Sequence, residues 1–147
     1  MNDIVMSIVN WSDKQAELTS VRRAVFIEEQ NVPESIELDG TDPECSHVLA
    51  SDESGNPIGT ARIDGSGKIG RMAVLLEHRG RGVGTKMLEA IIEHGRSSGI
   101  TVFYLSAQIG AVGFYMKMGF KTYGEQFQEA GITHVKMRRT GASVLGQ

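Results

Sequence analysis

The sequence has little of several features that would define a class of protein. It contains a single cysteine, Cys45, which excludes an internal disulfide framework and a cysteine-based zinc cluster. Its longest apolar runs, residues 72–76 and 100–105, are far too short to span a bilayer. Positive charge is not in excess either, because 15 lysines and arginines face 18 aspartates and glutamates, for a net charge of -3. This balance argues against a protein that grips a nucleic-acid backbone.

The amino terminus also lacks the basic stretch of a secretory signal, because MNDIVMSIVNW carries Asp3 and no lysine or arginine. We therefore expect a cytoplasmic protein. The 147 residues suffice for one domain with a substantial core, since a chain of this length buries roughly 70% of its unfolded surface. We expect that domain over residues 1–140 and a flexible tail over 141–147.

Strand and helix patterns alternate along the chain, and short glycine-containing turns separate the three central strands. Such turns make hairpins, so these strands are expected to be antiparallel neighbours. Strands interleaved with helices predict an α/β or α+β fold, with helices on the faces of one mixed sheet. The expected strands cover residues 4–9, 47–51, 57–64, 68–76, 101–105, 120–123 and 133–137. The expected helices cover 12–30, opened by a capping box of Ser12 and Gln15, 83 to 95 or 99, and 111–118, with an acidic loop at 31–45.

The strongest local motif is Arg79-Gly80-Arg81-Gly82-Val83-Gly84-Thr85, between a hydrophobic strand and an amphipathic helix. Glycines allow a tight turn in which successive N–H groups and a helix N-terminus converge on one anion, and two arginines add charge. A phosphate or pyrophosphate is the natural ligand. The spacing fits neither G-x-G-x-x-G, since the third glycine comes one residue early, nor a Walker loop, since Gly84-Thr85-Lys86 reverses its G-K-[ST] order. A turn that only permits close strand-to-helix packing is the alternative.

A second cluster follows on the next strand-to-helix step and comprises Gln108, Ala111, Phe114, Tyr115, Gly119 and Phe120. Together the two clusters resemble the GNAT superfamily of N-acetyltransferases. Arg79, Gly82 and Gly84 match its pyrophosphate loop, [QR]-x-x-G-x-[GA], and residues 111–120 match most of N-x-x-A-x-x-[FL]-Y-x-x-x-G-F. Gln108 stands where the family usually has asparagine, which retains the amide on a longer side chain. The resemblance covers nearly the whole chain.

A narrower resemblance is to the ElaA-like branch of that superfamily, whose physiological acceptor is poorly defined. The stretches that carry it are Arg22-x-x-Val25-Phe26, Glu29-Gln30, Glu37-x-Asp39-x-x-Asp42, Arg71-Met72-Ala73-Val74, Ser106-Ala107-Gln108 and Gly131-Ile132-Thr133-His134. The resemblance therefore identifies the donor better than the acceptor.

The resemblance implies a single domain with a mixed, mostly antiparallel sheet flanked by helices, in which two central parallel strands splay apart. Acetyl-CoA would lie in the V-shaped opening between the strands that end near Leu76 and Leu105. Backbone groups of residues 72–74 would pair with its pantetheine arm, and the loop amides would hold its pyrophosphate. The residues implied in binding the donor are Met72, Ala73, Val74, Arg79, Gly80, Arg81, Gly82, Val83, Gly84, Thr85, Gln108 and Phe114.

The implied reaction is direct attack of a primary amine on the thioester through a tetrahedral intermediate. Tyr115 matches the family's general acid, because a phenol of unperturbed pKa about 10 is protonated at neutral pH and can donate to the departing thiolate. A core aromatic beside Phe114 is the alternative, although adjacent helical residues cannot face the same way. The expected oxyanion donor is a backbone N–H near Ala73 or Val74.

The acidic segment between the first helix and the second strand would border the acceptor side of the opening. Glu37 is the expected general base, Glu28 and Asp39 are expected to bind the acceptor, and His134 would orient the acceptor or act as the base. The same patch would attract a cationic acceptor such as an amino sugar or a polyamine. A solvated loop surface and a hydrogen-bonded sheet histidine are the alternatives. Arg62 and Arg71, if buried, would need carboxylates from this loop.

Two other functions stay open at this point. The pattern Arg22-x-x-Val25-Phe26, Glu37-x-Asp39-x-x-Asp42 and Arg62 also resembles the N-terminal half of acyl-homoserine-lactone synthases, which share this fold. Those chains are typically longer, and this one lacks room for their larger acyl-carrier-binding surface. A non-catalytic acyl-CoA-binding or regulatory domain would keep the opening without turnover.

We expect a small-molecule amine as acceptor, and neither nucleic acid nor a membrane as partner. We expect no metal, since His47 and His78 lack the spacing of metal ligands. The sequence leaves a homodimer open.

Overall fold

Within residues 3–140, the part of the chain that the computed structural model describes, the fold has seven strands and four α-helices. The flexible tail expected at 141–147 lies outside these residues. The strands are β1 (Val5–Val9), β2 (Ser46–Ser51), β3 (Pro57–Ile63), β4 (Ile69–Val74), β5 (Val102–Gln108), β6 (Lys121–Glu129) and β7 (Ile132–Thr140). The helices are α1 (Trp11–Arg22), α2 (Glu34–Glu37), α3 (Val83–Ser97) and α4 (Val112–Lys117), and a π-helical segment, Arg23–Glu29, continues α1.

The strands form two antiparallel sheets, one in the order β1-β2-β3-β4 and the other in the order β5-β7-β6. β4 and β5 lie side by side at the seam, and over residues 3–140 the two sheets share a single parallel bridge, between Lys68 and Tyr104. Beyond this bridge the two strands diverge toward their carboxyl ends. The predicted α/β class with splayed central parallel strands is therefore confirmed, although the expected single sheet is divided at the splay.

The main core lies between α3 and the two sheets. Five apolar side chains of α3 recur at helical spacing, and their burial accounts for the packing of this helix against β2 and β3. They are Val83, Met87, Leu88, Ile91 and Ile92. β5 contributes the alternate residues Phe103, Leu105 and Ala107, all buried. This arrangement fixes the N-terminus of α3 at the open end of the splay.

The first helix begins two residues earlier than the capping box predicted. Asn10 is the N-cap, and its side-chain oxygen accepts a hydrogen bond from the Asp13 N–H at 2.8 Å. The prediction of Ser12 and Gln15 as a capping box is therefore wrong, because the hydroxyl of Ser12 instead donates to Asn10. The helix then widens into the π-helical segment, which carries Glu28 and Glu29 toward the open end of the fold. Among the helices of residues 3–140, none is long and apolar enough to cross a membrane.

A β-bulge interrupts the pairing of β3 with β4. Thr60 lies opposite Ala73 and Arg62 lies opposite Gly70, so Arg71 and Met72 together face one residue of β3. The bulge gives Arg71 a φ of 50°, a left-handed conformation that costs a non-glycine residue about 1–2 kcal/mol. Such strain persists where surrounding contacts determine the backbone.

Candidate active site

Two cavities meet at the place where β4 and β5 diverge. One, the glycine-loop cleft, has a volume of about 510 Å³ and lies against the N-terminus of α3. The other, the acidic cavity, has a volume of about 570 Å³ and lies against the loop that contains α2. Four residues line both cavities: Gln30, Met72, Ala111 and Tyr115. A molecule in one cavity would therefore reach a molecule in the other at these side chains.

The glycine loop has the geometry of an anion site. Gly80 and Gly82 have φ values of 79° and 81°, and in the described part of the chain no side chain caps α3 at Gly82. The first-turn N–H groups of α3 are thus left for a ligand. Gly84 has room only for a small addition, since a Cβ there would lie 3.5 Å from the Phe114 ring. The expected donor-binding residues that line this cleft are Met72, Ala73, Val74, Arg79, Gly80, Gly82, Val83, Gly84, Thr85 and Phe114.

Arg81 and Gln108, also expected to bind the donor, do not line the glycine-loop cleft. The side chain of Arg81 is exposed. Gln108 lines the acidic cavity instead, where its amide donates to the Gln30 side chain at 2.9 Å and accepts a longer hydrogen bond of 3.4 Å in return. This pair ties the end of the π-helical segment to the end of β5, so the amide of Gln108 is committed within the protein.

The edge of β4 beside the cleft carries unpaired backbone positions. Leu75 donates its N–H to Ile58 at 2.9 Å, and N–H direction alternates along a strand, so Val74 turns its backbone groups to the open edge. The Val74 carbonyl accepts from Arg79 Nε at 2.8 Å, and the guanidinium of Arg79 also forms two hydrogen bonds with Glu29, at 2.9 and 2.7 Å. Ala73 faces Thr60 of β3, so Val74 rather than Ala73 offers an N–H to the cleft.

Tyr115 occupies the junction of the two cavities. Its ring is 9% exposed and makes edge contacts with Phe114 and Phe120, while its hydroxyl donates to the sulfur of Met72 at 3.3 Å. Burial raises the pKa of Tyr115 to about 12, because a phenolate is poorly solvated there. The hydroxyl is therefore a proton donor at every physiological pH.

Beneath the acidic cavity lies a network of three arginines and three carboxylates, called here the ionic network: Arg22, Arg62, Arg71, Glu37, Asp39 and Asp42. Arg22 is 1% exposed and donates to Glu37 and to Asp42, both at 2.7 Å. Arg62 donates to Asp39 at 2.6 Å and to Asp42 at 2.8 Å. The prediction that the acidic loop supplies the partners of Arg62 and Arg71 is confirmed.

The network changes the interpretation of Glu37 and Asp39, expected as base and acceptor ligand. Glu37 is 3% exposed, and its Oε2 accepts from Arg22 and lies 3.4 Å from Arg71 Nε. Hydrogen bonding to Arg62 holds the pKa of Asp39 well below its usual range. Both line the acidic cavity, but both are engaged by guanidinium groups. Glu28 is exposed and lines neither cavity.

His134 lines the acidic cavity from β7 on the opposite sheet. Its Nδ1 lies 2.7 Å from the Ile132 carbonyl, and a carbonyl only accepts, so the neutral ring carries its proton on Nδ1 and leaves a lone pair on Nε2. The ring stacks on Phe127 with centroids 5.7 Å apart. This places a proton acceptor of fixed orientation in the wall of the cavity.

Several polar residues of the acidic cavity were not selected from the sequence. Glu44, Asp64 and Glu129 line it together with Lys68, and over residues 3–140 none of these carboxylates is in an arginine ion pair. Hydrogen bonds from Ser66 and Lys68 keep the pKa of Asp64 below its usual value against the opposing effect of burial. The cavity is therefore electronegative outside the ionic network. Among residues 3–140 no three His, Cys, Asp or Glu side chains converge as metal ligands.

Comparisons with known proteins agree with this geometry. A family model for the acetyltransferase (GNAT) domain matches residues 11–140. YjcF of Bacillus subtilis strain 168, named an uncharacterised N-acetyltransferase, is 39% identical over 123 residues, covering 81% of this chain and 87% of YjcF. The crystal structure of Escherichia coli ElaA is similar with a TM-score of 0.83 and 29% identity, covering 93% of this chain and 99% of ElaA. An acyl-CoA N-acyltransferase from Pseudomonas aeruginosa gives a TM-score of 0.84 at 27% identity, with 93% and 99% covered.

The chain belongs to the GNAT family of acetyltransferases, and its activity is that of an N-acetyltransferase. The resemblance to the ElaA-like branch, which the sequence predicted, is confirmed by the similarity to ElaA over nearly the whole chain. GNAT enzymes use acetyl-CoA or another acyl-CoA as donor.

Proposed function

We propose that this enzyme transfers the acetyl group of acetyl-CoA directly to the primary amine of a small, cationic acceptor. The observation that carries the proposal is the junction of two chemically different cavities at Tyr115. One cavity has an anion-binding loop and apolar walls, and the other has carboxylates without arginine partners. A buried hydroxyl that keeps its proton lies between them.

The glycine-loop cleft suits acetyl-CoA, which supplies the activated acetyl group. Loop amides of residues 80–85 would hold the pyrophosphate, since positive-φ glycines followed by a helix N-terminus direct several N–H groups at one anion. Val74 would donate its free N–H at the open edge of β4, either to the pantetheine arm or to the oxygen of the thioester as negative charge develops. Phe114 and Val83 provide apolar walls.

The acidic cavity suits the acceptor. Glu44, Asp64 and Glu129 would attract and orient a positively charged molecule such as a polyamine or an amino sugar. We assign the base to His134, which lines the cavity and whose Nε2 keeps a lone pair when Nδ1 donates to the Ile132 carbonyl. Glu37, the base expected from the sequence, is not retained, because taking up a proton would disrupt its ion pairs with Arg22 and Arg71.

In the proposed reaction the acceptor ammonium gives one proton to His134 and the free amine attacks the thioester. The attack gives a tetrahedral intermediate, whose C–S bond breaks as Tyr115 donates its proton to the departing thiolate. The attacking nitrogen loses its second proton to the Tyr115 phenolate, which leaves the N-acetylated acceptor and free CoA, and His134 releases its proton to solvent. The present hydrogen bond of Tyr115 to the Met72 sulfur is a weak one, so a thiolate competes successfully for this donor. Both residues that transfer protons line the acidic cavity.

The proposal is tested by titrating acetyl-CoA calorimetrically and then following thiol release with polyamines, amino sugars and amino acids. We expect a Kd of about 1 µM to 1 mM and turnover on one cationic class. His134→Gln should lower kcat at unchanged acetyl-CoA affinity, whereas His94→Gln, which lines neither cavity, should not. Binding without turnover on any amine would contradict the proposal, and absence of binding would remove the assignment of the glycine loop.

A further inference from the structure

Arg71 combines a strained backbone with several hydrogen bonds from its guanidinium. It lies in the bulge of β4 with φ 50°. Its Nη2 donates to the carbonyls of Ile36 and Glu37, both at 3.1 Å, and to the Asp39 carboxylate at 3.2 Å. Its Nε donates to the Glu37 carbonyl at 3.2 Å. One guanidinium therefore ties β4 to the end of α2 and the residues that follow it.

The partners of Arg71 are themselves immobilised by the ionic network. Glu37 accepts from Arg22 of α1 at 2.7 Å, and Asp39 accepts from Arg62 of β3 at 2.6 Å. Three guanidinium groups face three carboxylates, so no buried charge of the network is left without an opposite one. Charge-assisted hydrogen bonds of this kind resist rearrangement when they are buried. The frame that holds Arg71 thus extends into α1 and β3.

The residue after Arg71 is the one that contacts the buried hydroxyl. Met72 lines both cavities, and its sulfur accepts the hydrogen bond from Tyr115. Any change of the backbone at Arg71 would move the Met72 side chain and the β4 edge beside it. The contacts of Arg71 and the position of Tyr115 are therefore linked through a single peptide unit and one side chain.

We propose that Arg71 is a positioning residue for acetyl transfer: by anchoring the strained bulge to the ionic network, it sets Met72 and the adjoining edge of β4 against Tyr115. This inference rests on the proposed function, and it assigns Arg71 no contact with the reacting atoms. In this role the ionic network influences the rate of the reaction, in addition to balancing the buried charges.

The experiment compares Arg71→Gln, Arg71→Lys and Arg71→Gly with the wild type on the best amine. Arg71→Gln should lower kcat by about 10- to 100-fold, since misplacement of a reacting group by about 1 Å has effects of this size, while acetyl-CoA affinity changes less than about twofold. Arg71→Gly relieves the backbone strain but removes the anchor, so its kcat should fall equally. Added ethylguanidinium should restore part of the activity of Arg71→Gly. Arg71→Lys keeps the positive charge but lacks the planar set of guanidinium donors, so its kcat should lie between those of Arg71→Gln and the wild type.

Two controls separate positioning from a general loss of stability. Arg23→Gln removes an exposed ion pair with Glu34, and Val48→Ala lowers stability from within the main core; both should keep kcat. The inference would be overturned if Arg71→Gln kept the wild-type kcat. It would also be overturned if Val48→Ala, at the same Tm as Arg71→Gln, lost as much kcat as that variant. If the wild type acetylates no amine, the proposed function fails separately from this inference. Hydrogen exchange of residues 69–74, compared between Arg71→Gln and the wild type, then tests the positioning role. Unchanged exchange there in Arg71→Gln would then overturn the positioning role.

Discussion

Tyr115 and Met72, 43 residues apart in the chain, are joined by a hydrogen bond of 3.3 Å from the phenol to the thioether sulfur. This contact lies where the two cavities meet. It holds a buried O–H group on a soft, weak acceptor until a better acceptor arrives. The proposed acid is therefore oriented before any donor binds.

Tyr115→Phe tests this acid directly. Removing the hydroxyl should lower kcat by about 100-fold, the lower end of what general acid catalysis contributes, and should leave acetyl-CoA affinity within about twofold. Because the pKa of Tyr115 is raised to about 12, the wild-type rate should show no decline from tyrosine ionisation up to about pH 10. Thiol release measured from pH 6 to 10 checks both expectations.

Tyr123→Phe is the matched control, since Tyr123 lines neither cavity. The Cζ atom of Arg138 lies over its ring, 4.5 Å from the ring centroid. Equal rates for Tyr115→Phe and Tyr123→Phe would remove Tyr115 from the mechanism.

Gly82→Asp should weaken donor binding strongly. A carboxylate at the N-terminus of α3 would repel a pyrophosphate held by the loop amides, and we expect a loss of acetyl-CoA affinity of about 100-fold. Gly55→Asp provides the comparison, because Gly55 has a φ of 88° against 81° for Gly82 and open space around its Cβ position. Calorimetry of both variants separates backbone strain from ligand repulsion. Normal acetyl-CoA binding by Gly82→Asp would show that the pyrophosphate lies elsewhere.

His47 should make stability depend on pH below neutrality. It is fully buried, Nε2 donates to the Asp42 carbonyl at 3.1 Å, and within residues 3–140 Nδ1 has no hydrogen-bond partner. Burial lowers the pKa of His47, so between that value and about 6.5 the unfolded chain binds more protons than the folded one. The free energy of unfolding should therefore decrease as the pH falls below about 6.5.

A second decrease should follow at lower pH. Hydrogen bonding to Arg62 lowers the pKa of Asp39, and contacts with Arg22 and Arg62 lower that of Asp42 although burial opposes them. The stability from these depressed carboxyl pKa values is complete above about pH 4 and is lost below it. Thermal unfolding from pH 3 to 8 measures both steps. His47→Gln should flatten the first step and His78→Gln should not; an unchanged profile in His47→Gln would contradict the assignment.

Gly95→Ala and Gly113→Ala should change stability in opposite directions. A Cβ on Gly95 of α3 would lie 2.6 Å from the buried Phe103 ring. Such overpacking costs about 1–3 kcal/mol, more than the roughly 1 kcal/mol that alanine gains over glycine in a helix. A Cβ on Gly113 of α4 would meet no atom of residues 3–140 within 4 Å, so Gly113→Ala should stabilise by about 0.5–1 kcal/mol. Urea unfolding measures the free energy of unfolding of both variants. A higher value for Gly95→Ala than for the wild type would disprove the close packing of Gly95 against Phe103.

Local patterns predicted the features of the fold that depend on neighbouring residues. The spacing of Val83, Met87 and Leu88 defined the buried face of α3, and the glycine turns defined the antiparallel order of β2, β3 and β4. The pairing of Arg62 and Arg71 with the acidic loop was also predictable, since buried guanidinium groups require carboxylates.

Features set by distant contacts were not predictable in this way. Asn10 and Ser12 are both good N-cap residues, and only the packed helix decides between them. Gln30 and Gln108 pair across 78 positions, for which no local pattern exists. The ion pairs of Glu37 with Arg22 and Arg71 become evident only when α1, α2 and β4 are brought together.

The parallel bridge of Lys68 with Tyr104 has a consequence for how the two sheets can shift relative to each other. Above that bridge, each sheet keeps its hydrogen bonds within itself, so a small change in the angle between the sheets breaks no backbone pairing. Met72 of β4 and Phe114 of α4 both line the glycine-loop cleft at this opening. Substitutions at these positions should change the width of the glycine-loop cleft while both ladders stay intact, so the size of the cleft can be altered independently of the strand pairing.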